Sequence, residues 1–449
     1  MSIANPGPST DRSPAGCAPE GQPIKICPPV SPRSFWPRFT LFIMALALAG
    51  CSAAITRNAL PADQVAHANP LGIPGLRAWG DVIEPKALDN FIEHQAGILR
   101  ARFGRDIAAG RVPTLHYLAL SGGGPDGAFG AGVLKAWSQS GTRPEFTGVA
   151  GVSTGSIIAP FAFLGSDYDK VIEEIYTTLR TEDVARSTIV SGLLSGVALS
   201  DTTGLANKIK HYVTPDLLER IAAEYRRGRL LFVGTTNLDA GRPMIWNMTA
   251  IAASGHPGAL QLFRDVIRAS AAVPIAFPPV FIKVQTPDGR IYDEMHVDGG
   301  ATSQVVMVSP QVPIAALTRQ HLGRNINRSL WVIVNNRILT EFEPVRPRIA
   351  PIGGAAVSSL IRGSGVGDAY KLYLISERDE IAYRVAWIPS HVPCRSNEDF
   401  DPVYMRCLFD FGGEELRRGG LWSELPPYFV RPPNTRASPS GRTGTIARR

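Results

Sequence analysis

A chain of 449 residues, 44% hydrophobic and 19% charged, carries enough apolar material for one large core or two smaller ones, which excludes a disordered protein. Its formal charge of +7 sits at the ends: residues 1–50 hold four basic and two acidic residues, and the last nineteen hold five arginines and no acid. The body between is close to neutral, which excludes a nucleic-acid footprint.

The Pro/Ser/Gly-rich stretch up to Pro37 has no periodicity and is expected to carry no fold. Arg33 and Arg38 then lead into the apolar run from Phe39 to Gly50, too short to span a bilayer as a helix but suited to a signal-peptide core. The run stops at Leu48-Ala49-Gly50-Cys51, which resembles the bacterial lipoprotein processing box. The resemblance implies that residues 1–50 are removed, that Cys51 is lipidated and begins the mature chain, and that Ser52 favours the outer membrane. The expected location is the bacterial cell envelope, lipid-anchored, facing the periplasm. The polar leader is long for such a signal, which points to a start codon downstream of Met1, and a buried apolar segment with an incidental cysteine is the alternative.

Cys17 and Cys27 fall in the leader, which leaves Cys394 and Cys407 as an even pair in a segment with Asp399, Asp401 and Pro402. That pattern reads as a disulfide staple closing a loop in an oxidising compartment. No histidine clusters with the pair, so a metal is not expected.

Residues 51–112 contain Pro61, Pro70, Pro74 and Pro85 and then a segment from Lys86 to Ile107 with helical character; they read as a tether and flank. The main domain is expected over residues 113–390. It opens with the strand Thr114–Leu120, followed by a glycine-rich turn from Ser121 to Gly132 and by Val133, Leu134, Ala136 and Trp137 at helical spacing. Bare N–H groups converge in such a turn, and an anion can sit there. A phosphate of a dinucleotide and an oxyanion both fit. Neither the Lys-Ser/Thr ending of a nucleotide loop nor an acidic residue about twenty positions on in a second strand is present, and the next unit favours the oxyanion.

In that unit the apolar run Phe146–Ala150 enters Gly151-Val152-Ser153-Thr154-Gly155, and Ile157, Ile158, Ala159, Phe161 and Leu164 follow at helical spacing. The pattern predicts strand, sharp elbow and helix, with Ser153 at the bend as a candidate nucleophile. Gly151 and Gly155 are expected to supply the unusual backbone angles, and the helix N-terminus to face the serine oxygen with its positive dipole end. A chance match of five residues is the alternative.

Residues 165–229 read as helical, with starts at Asp201-Thr202-Thr203 and Thr214-Pro215-Asp216. A strand is expected from Leu230 to Thr236, a helix from Gln261 to Ala272, and a rigid apolar loop from Val273 to Val280. In His296-Val297-Asp298-Gly299-Gly300 the glycines let a carboxylate approach another backbone closely. A strand Leu330–Val334, a helical region 354–376 and a strand from Arg384 to Pro389 complete the body, with Gly363-Ser364-Gly365-Val366-Gly367 read as a flexible loop. Residues 391–430 form an extension with the disulfide loop. Residues 431–449 form a basic tail, expected to be solvated, with contact to anionic headgroups as the alternative.

Three pieces in order resemble the patatin-like phospholipases: Gly122-Gly123-Gly124, Gly151-Val152-Ser153-Thr154-Gly155, and Asp298-Gly299-Gly300. Thr235-Thr236-Asn237 and the run from Ala269 to Pro274 are also similar, and the likeness covers roughly residues 113–310. It implies an α/β fold of three layers, α/β/α, around a central, mostly parallel sheet. It implies hydrolysis of lipid acyl esters, of the phospholipase A, lysophospholipase or carboxylesterase type, without cofactor or metal. By the same resemblance Ser153 is the nucleophile, Asp298 the general base, and the turn Gly122-Gly123-Gly124 the oxyanion hole through the N–H groups of Gly123 and Gly124. One position departs from the pattern: where the family carries Arg or Lys, this chain has Asp126 after Pro125. The missing cation bears on phospholipid preference and keeps a second class open, a membrane-anchored lipid-binding or scaffold lipoprotein with little activity.

A serine hydroxyl needs a proton acceptor within about 2.6 to 3.2 Å. A carboxylate of ordinary pKa near ~4 is a poor base unless burial raises it, so Asp298 is expected to be desolvated against the loop Pro274–Pro279. The competing role for Asp298 is a turn carboxylate bonded to its own backbone. His296, two residues earlier, invites a Ser-His-Asp triad, but two parallel side chains on one short strand are poorly placed for a relay. His296 is expected to be a packing or rim residue.

Overall fold

The computed structural model describes residues 57–430 apart from 185, 188–199, 308, 340, 341, 343 and 397. The leader, Cys51 with its processing box, and the arginine tail lie outside the described residues. The strands are β1 (Asn69–Pro70), β2 (Arg77–Trp79), β3 (Thr114–Leu120), β4 (Gly148–Val152), β5 (Arg186–Ser187), β6 (Ser200–Asp201), β7 (Leu230–Asn237), β8 (Arg242–Asn247), β9 (Val280–Gln285), β10 (Ile291–Asp298), β11 (Asn327–Arg337) and β12 (Ile381–Ile388). Ten of them form one sheet in the order β1-β9-β10-β7-β4-β3-β11-β12, with β8 on β7 and β2 on β8; β5 and β6 pair separately. From β12 through β11, β3 and β4 to β7 all pairings are parallel, and the remaining pairings of the sheet are antiparallel.

The parallel strands are apolar on both faces, which is what a sheet covered by helices on each side requires. Leu118, Leu120, Val149, Ile333 and Ile388 pack with Phe129, Trp137, Ile158 and Phe163 from the helices Gly127–Gln139 and Thr154–Leu164. The alternate residues Ala119, Leu330, Val332, Val334 and Val385 pack with Leu372 and Tyr373 of the helix Ile349–Arg378. The result is an α/β protein of three layers, each fully buried large aliphatic contributing about 1.5–3 kcal/mol.

One crossover positions the site. β7 pairs with β4 as far as Val152 opposite Gly234; from Thr235 onward the same edge of β7 pairs with β10, whose last residue, Asp298, lies opposite Thr235. The chain leaving β4 at Ser153 therefore meets the chain leaving β10 at Asp298.

Several expectations change. Gly363 to Gly367 lie inside the helix Ile349–Arg378 rather than in a loop, because Ala369, Leu372 and Tyr373 anchor that helix on the sheet and their burial outweighs the ~1 kcal/mol propensity cost of each glycine. Cys407 belongs to the helix Pro402–Arg418, started by the Asp401 carboxylate accepting from Val403 N at 2.9 Å, not to an open loop. The segment expected as tether and flank contributes the strands β1 and β2 to the sheet, while the helix expected from Lys86 to Ile107 is present as Pro85–Ala108. Among the described residues no helix is long and apolar enough to cross a membrane, and no group of three His, Cys, Asp or Glu is placed to hold a metal ion.

Candidate active site

Ser153 occupies φ 54°, ψ −125°, a backbone state that costs a residue with a side chain on the order of 1–3 kcal/mol and persists only where the surroundings enforce it. The enforcement is visible. Its N–H donates to Ser270 Oγ at 2.9 Å, and Ser270 in turn donates to Gly234 O at 2.7 Å. Its carbonyl accepts from Ser156 N at 2.8 Å and from Ser156 Oγ at 2.7 Å. The flanking glycines serve space rather than angle, contrary to the expectation from sequence: neither has a positive φ, but a Cβ on Gly151 would lie 2.2 Å from Gly155 O, and one on Gly155 would lie 2.4 Å from Leu120 O. The unusual angle belongs to the serine itself, at the N-terminus of the helix Thr154–Leu164.

Asp298 ends β10, its N–H bonded to Ala272 O at 2.9 Å, and is 3% exposed. Oδ1 accepts from Gly300 N at 2.7 Å, so the turn role weighed from sequence accounts for one carboxylate oxygen. Oδ2 is buried and has no hydrogen-bond partner among the described residues. Burial pushes the Asp298 pKa up to about 7, against the opposing pull of the Ser153 hydroxyl and the Gly300 N–H. The serine is thus close enough to act on the carboxylate, yet no bond of good geometry joins them, an arrangement common before substrate binds. Gly299 and Gly300 let this turn close: a Cβ on Gly299 would lie 2.5 Å from Gly234 O.

In the glycine turn, Gly122 N donates to Gln304 O at 3.3 Å, while the N–H groups of Gly123 and Gly124 have no acceptor among the described residues. Gly123 has φ 156° and sits so near β11 that a Cβ would lie 1.9 Å from Asn335 O; Gly124, at φ 55°, is in the left-handed region. Gly122 N–H therefore fixes the turn, and the N–H groups of Gly123 and Gly124 carry no such bond among the described residues.

Asp126 is bonded away from the serine. Tyr404 OH donates to its Oδ1 at 2.5 Å, and burial raises the Asp126 pKa to about 6 despite Tyr404 and the nearby Arg337 guanidinium. Arg337 Nη2 donates to Cys394 O at 2.6 Å, and Cys394 is disulfide-bonded to Cys407. At the position where the resemblance places a cation, this chain instead ties the turn to the helix Pro402–Arg418.

His296 is fully buried in a separate chain of bonds. Trp246 Nε1 donates to Thr235 Oγ1 at 2.8 Å, Thr235 Oγ1 lies 3.0 Å from His296 Nδ1, and His296 Nε2 lies 3.2 Å from Glu294 Oε2. Arg77 Nη2 pairs with Glu294 Oε1 at 2.9 Å, which helps hold the Glu294 pKa down to about 2 although burial opposes it; burial pushes the imidazole pKa down against the pull of Glu294. Thr235 therefore donates to Nδ1, and Nε2–H donates to the carboxylate. Ser270 and Gln304 received no role from the sequence. A serine on the apolar face of an amphipathic helix was the available signal for the first; the second had none.

Residues 118–314 match the family model of the patatin-like phospholipases. No curated protein matches the chain. Among solved structures, VipD from Legionella pneumophila is similar at 14% identity and a TM-score of 0.33, over 68% of this chain and 66% of that one. Human GIVD cytosolic phospholipase A2 is similar at 10% identity and a TM-score of 0.25, over 58% of this chain and 48% of that one. The chain spans less than two thirds of the length of either.

Proposed function

We propose that this chain, which carries a patatin-like phospholipase domain over residues 118–314, hydrolyses lipid acyl esters with Ser153 as nucleophile and Asp298 as general base. The observation that carries the assignment is the buried, unpartnered Oδ2 of a carboxylate with its pKa near neutrality, beside a serine on a strained elbow. Asp298 takes the Ser153 proton as Oγ attacks the acyl carbonyl carbon. The N–H groups of Gly123 and Gly124 receive the tetrahedral oxyanion, each supplying about 2.7–4 kcal/mol. Asp298 returns the proton to the leaving alkoxide, and water then cleaves the acyl-enzyme by the same steps in reverse order. A carboxylate at ordinary pKa would be largely ineffective as this base, and burial supplies the shift.

The substrate class is a lipid acyl ester; the Asp126–Tyr404 bond in place of a cation favours simple esters and single-chain lipids over charged headgroups. Turnover of a short-chain p-nitrophenyl ester, lost in Ser153→Ala, tests the assignment. Absence of turnover in a folded wild type leaves the scaffold or lipid-binding role instead. We further propose that the mature chain begins at a lipidated Cys51 in the cell envelope, supported by the Leu48–Cys51 box after an apolar run and by a Cys394–Cys407 disulfide of the kind oxidising compartments sustain. Unchanged lipid mass and membrane fraction in Cys51→Ser would reject this.

A further inference from the structure

We propose that the side-chain amide of Gln304 binds the water that hydrolyses the acyl-enzyme, an inference that rests on the hydrolase assignment above. Gln304 is 1% exposed. Its backbone is pinned on two sides: N donates to Asp368 Oδ2 at 2.7 Å, an oxygen that also accepts from Val305 N at 3.0 Å, and O accepts from Gly122 N at 3.3 Å. Asp368 is held in turn by Lys371 Nζ at 2.6 Å from Oδ1. The residue is thus fixed between the helix Ile349–Arg378 and the oxyanion turn.

Its amide oxygen lies on the Gly122 and Ser153 side, and its amide nitrogen on the Gly300 and Asp298 side. The Cβ position of Gly122 lies 2.6 Å from Gln304 Oε1 and 3.0 Å from Ser153 Cβ. The Cβ position of Gly300 lies 1.9 Å from Gln304 Nε2 and 3.0 Å from Asp298 Oδ1. The glycines leave the room that the amide takes. Oε1 is buried without a partner among the described residues, and so is Asp298 Oδ2. Each of these acceptors needs a donated bond, because an unmade bond in a buried site costs stability, and one water held between them would supply both. Such a water keeps a lone pair for attack. An ester substrate has no O–H at its reacting centre, so the second acceptor is idle during acylation and used in deacylation.

In that step the water oxygen bonds to the acyl carbon, one water proton passes to Asp298, and the other stays hydrogen-bonded to Gln304 Oε1. The tetrahedral intermediate then breaks its bond to Ser153 Oγ. The proton held by Asp298 goes to Oγ, and the free acid leaves.

The test is pre-steady-state release of p-nitrophenolate from p-nitrophenyl butyrate by wild type and Gln304→Leu, with and without methanol. Methanol needs only one donated bond, to Asp298. In Gln304→Leu the burst of one p-nitrophenolate per site persists, steady turnover falls by about tenfold or more, and the ratio of methyl ester to acid rises by a similar factor over wild type. Should Gln304→Leu not fold, Gln304→Met keeps the length of the side chain and the same outcome is expected. Burst and steady rates falling together, or an unchanged methanol-to-water ratio, overturns the assignment of Gln304 alone. A wild type without p-nitrophenolate release overturns the hydrolase assignment and this inference with it.

Discussion

His296 Nε2 lies 3.2 Å from Glu294 Oε2, so the imidazole two residues before Asp298 is bonded along its own strand and away from Ser153. Its other nitrogen is taken by Thr235 at 3.0 Å. A relay histidine needs one nitrogen for the serine and one for the acid, and here neither is available.

His296→Asn therefore leaves ester hydrolysis by the folded protein within about tenfold of wild type, or roughly 1.4 kcal/mol in barrier. Stability falls by about 1–3 kcal/mol, because Glu294 or Thr235 loses a buried partner. Urea unfolding with activity per folded molecule separates the two effects. A folded variant as inactive as Ser153→Ala would restore a triad.

As the proposed base, the Asp298 carboxyl must be ionised to act, and its pKa is pushed up to about 7. The value of kcat/KM is expected to rise with pH and to reach half its plateau near that pH. Stability moves the other way: with the folded pKa above the ordinary 3.8, this group's contribution is complete below about pH 4 and is lost as pH rises through about 7. Asp298→Asn keeps an acceptor for Gly300 N and cannot ionise, so its stability advantage over wild type grows between pH 5 and pH 8 by about 2.7 kcal/mol. Asp126, also raised, is common to both proteins and cancels in the difference. A pH-independent difference in melting, or a flat activity profile from pH 5 to 8, contradicts the assignment of the base.

Ser270 supports the elbow without touching the reacting atoms. Removing its hydroxyl leaves Ser153 N–H and Gly234 O without their bonds of 2.9 and 2.7 Å. Ser270→Ala is expected to lower kcat by about ten- to a hundredfold with KM little changed, since the serine loses its enforced angle but the acyl site is intact. Ser270→Thr restores the acceptor and part of the rate. An equal loss in both variants points to packing instead.

What the sequence made legible follows chemistry. Strand-elbow-helix at Ser153 and the carboxylate before Gly299-Gly300 are local patterns. That they meet depends on β7 changing partner from β4 to β10 at Thr235, a long-range event that leaves no local trace. β8 and β9 were missed because each lies at the antiparallel side, where short strands such as Arg242–Asn247 mix polar and apolar residues. Sequence assigns Gly151 and Gly155 a role in dihedral freedom, whereas what the fold asks of them is close approach. Gln304 lies outside every motif; only its burial and its unpaired oxygen single it out.

The helix Pro402–Arg418 is held by three devices, to the glycine turn, to the helix that follows it and to the segment after β12, and the covalent one can be removed cleanly. Tyr404 bonds Asp126 at 2.5 Å, Gly132 and Gly412 let the helix pack so closely on Gly127–Gln139 that a Cβ on Gly132 would lie 1.8 Å from Phe409 O, and Cys407 is joined to Cys394 across 13 positions. A closed loop of this size stabilises by about 3 kcal/mol in the chain-entropy model, through the unfolded state. Reduction, or a paired Cys394→Ser and Cys407→Ser variant, is expected to lower the unfolding free energy measured in urea by that amount. The burst amplitude with a p-nitrophenyl ester should stay near one per site, because the Tyr404 and glycine contacts remain. A thiol assay on unfolded, non-reduced protein carried through export settles the bond itself: two reactive thiols would remove the staple and with it the predicted shift.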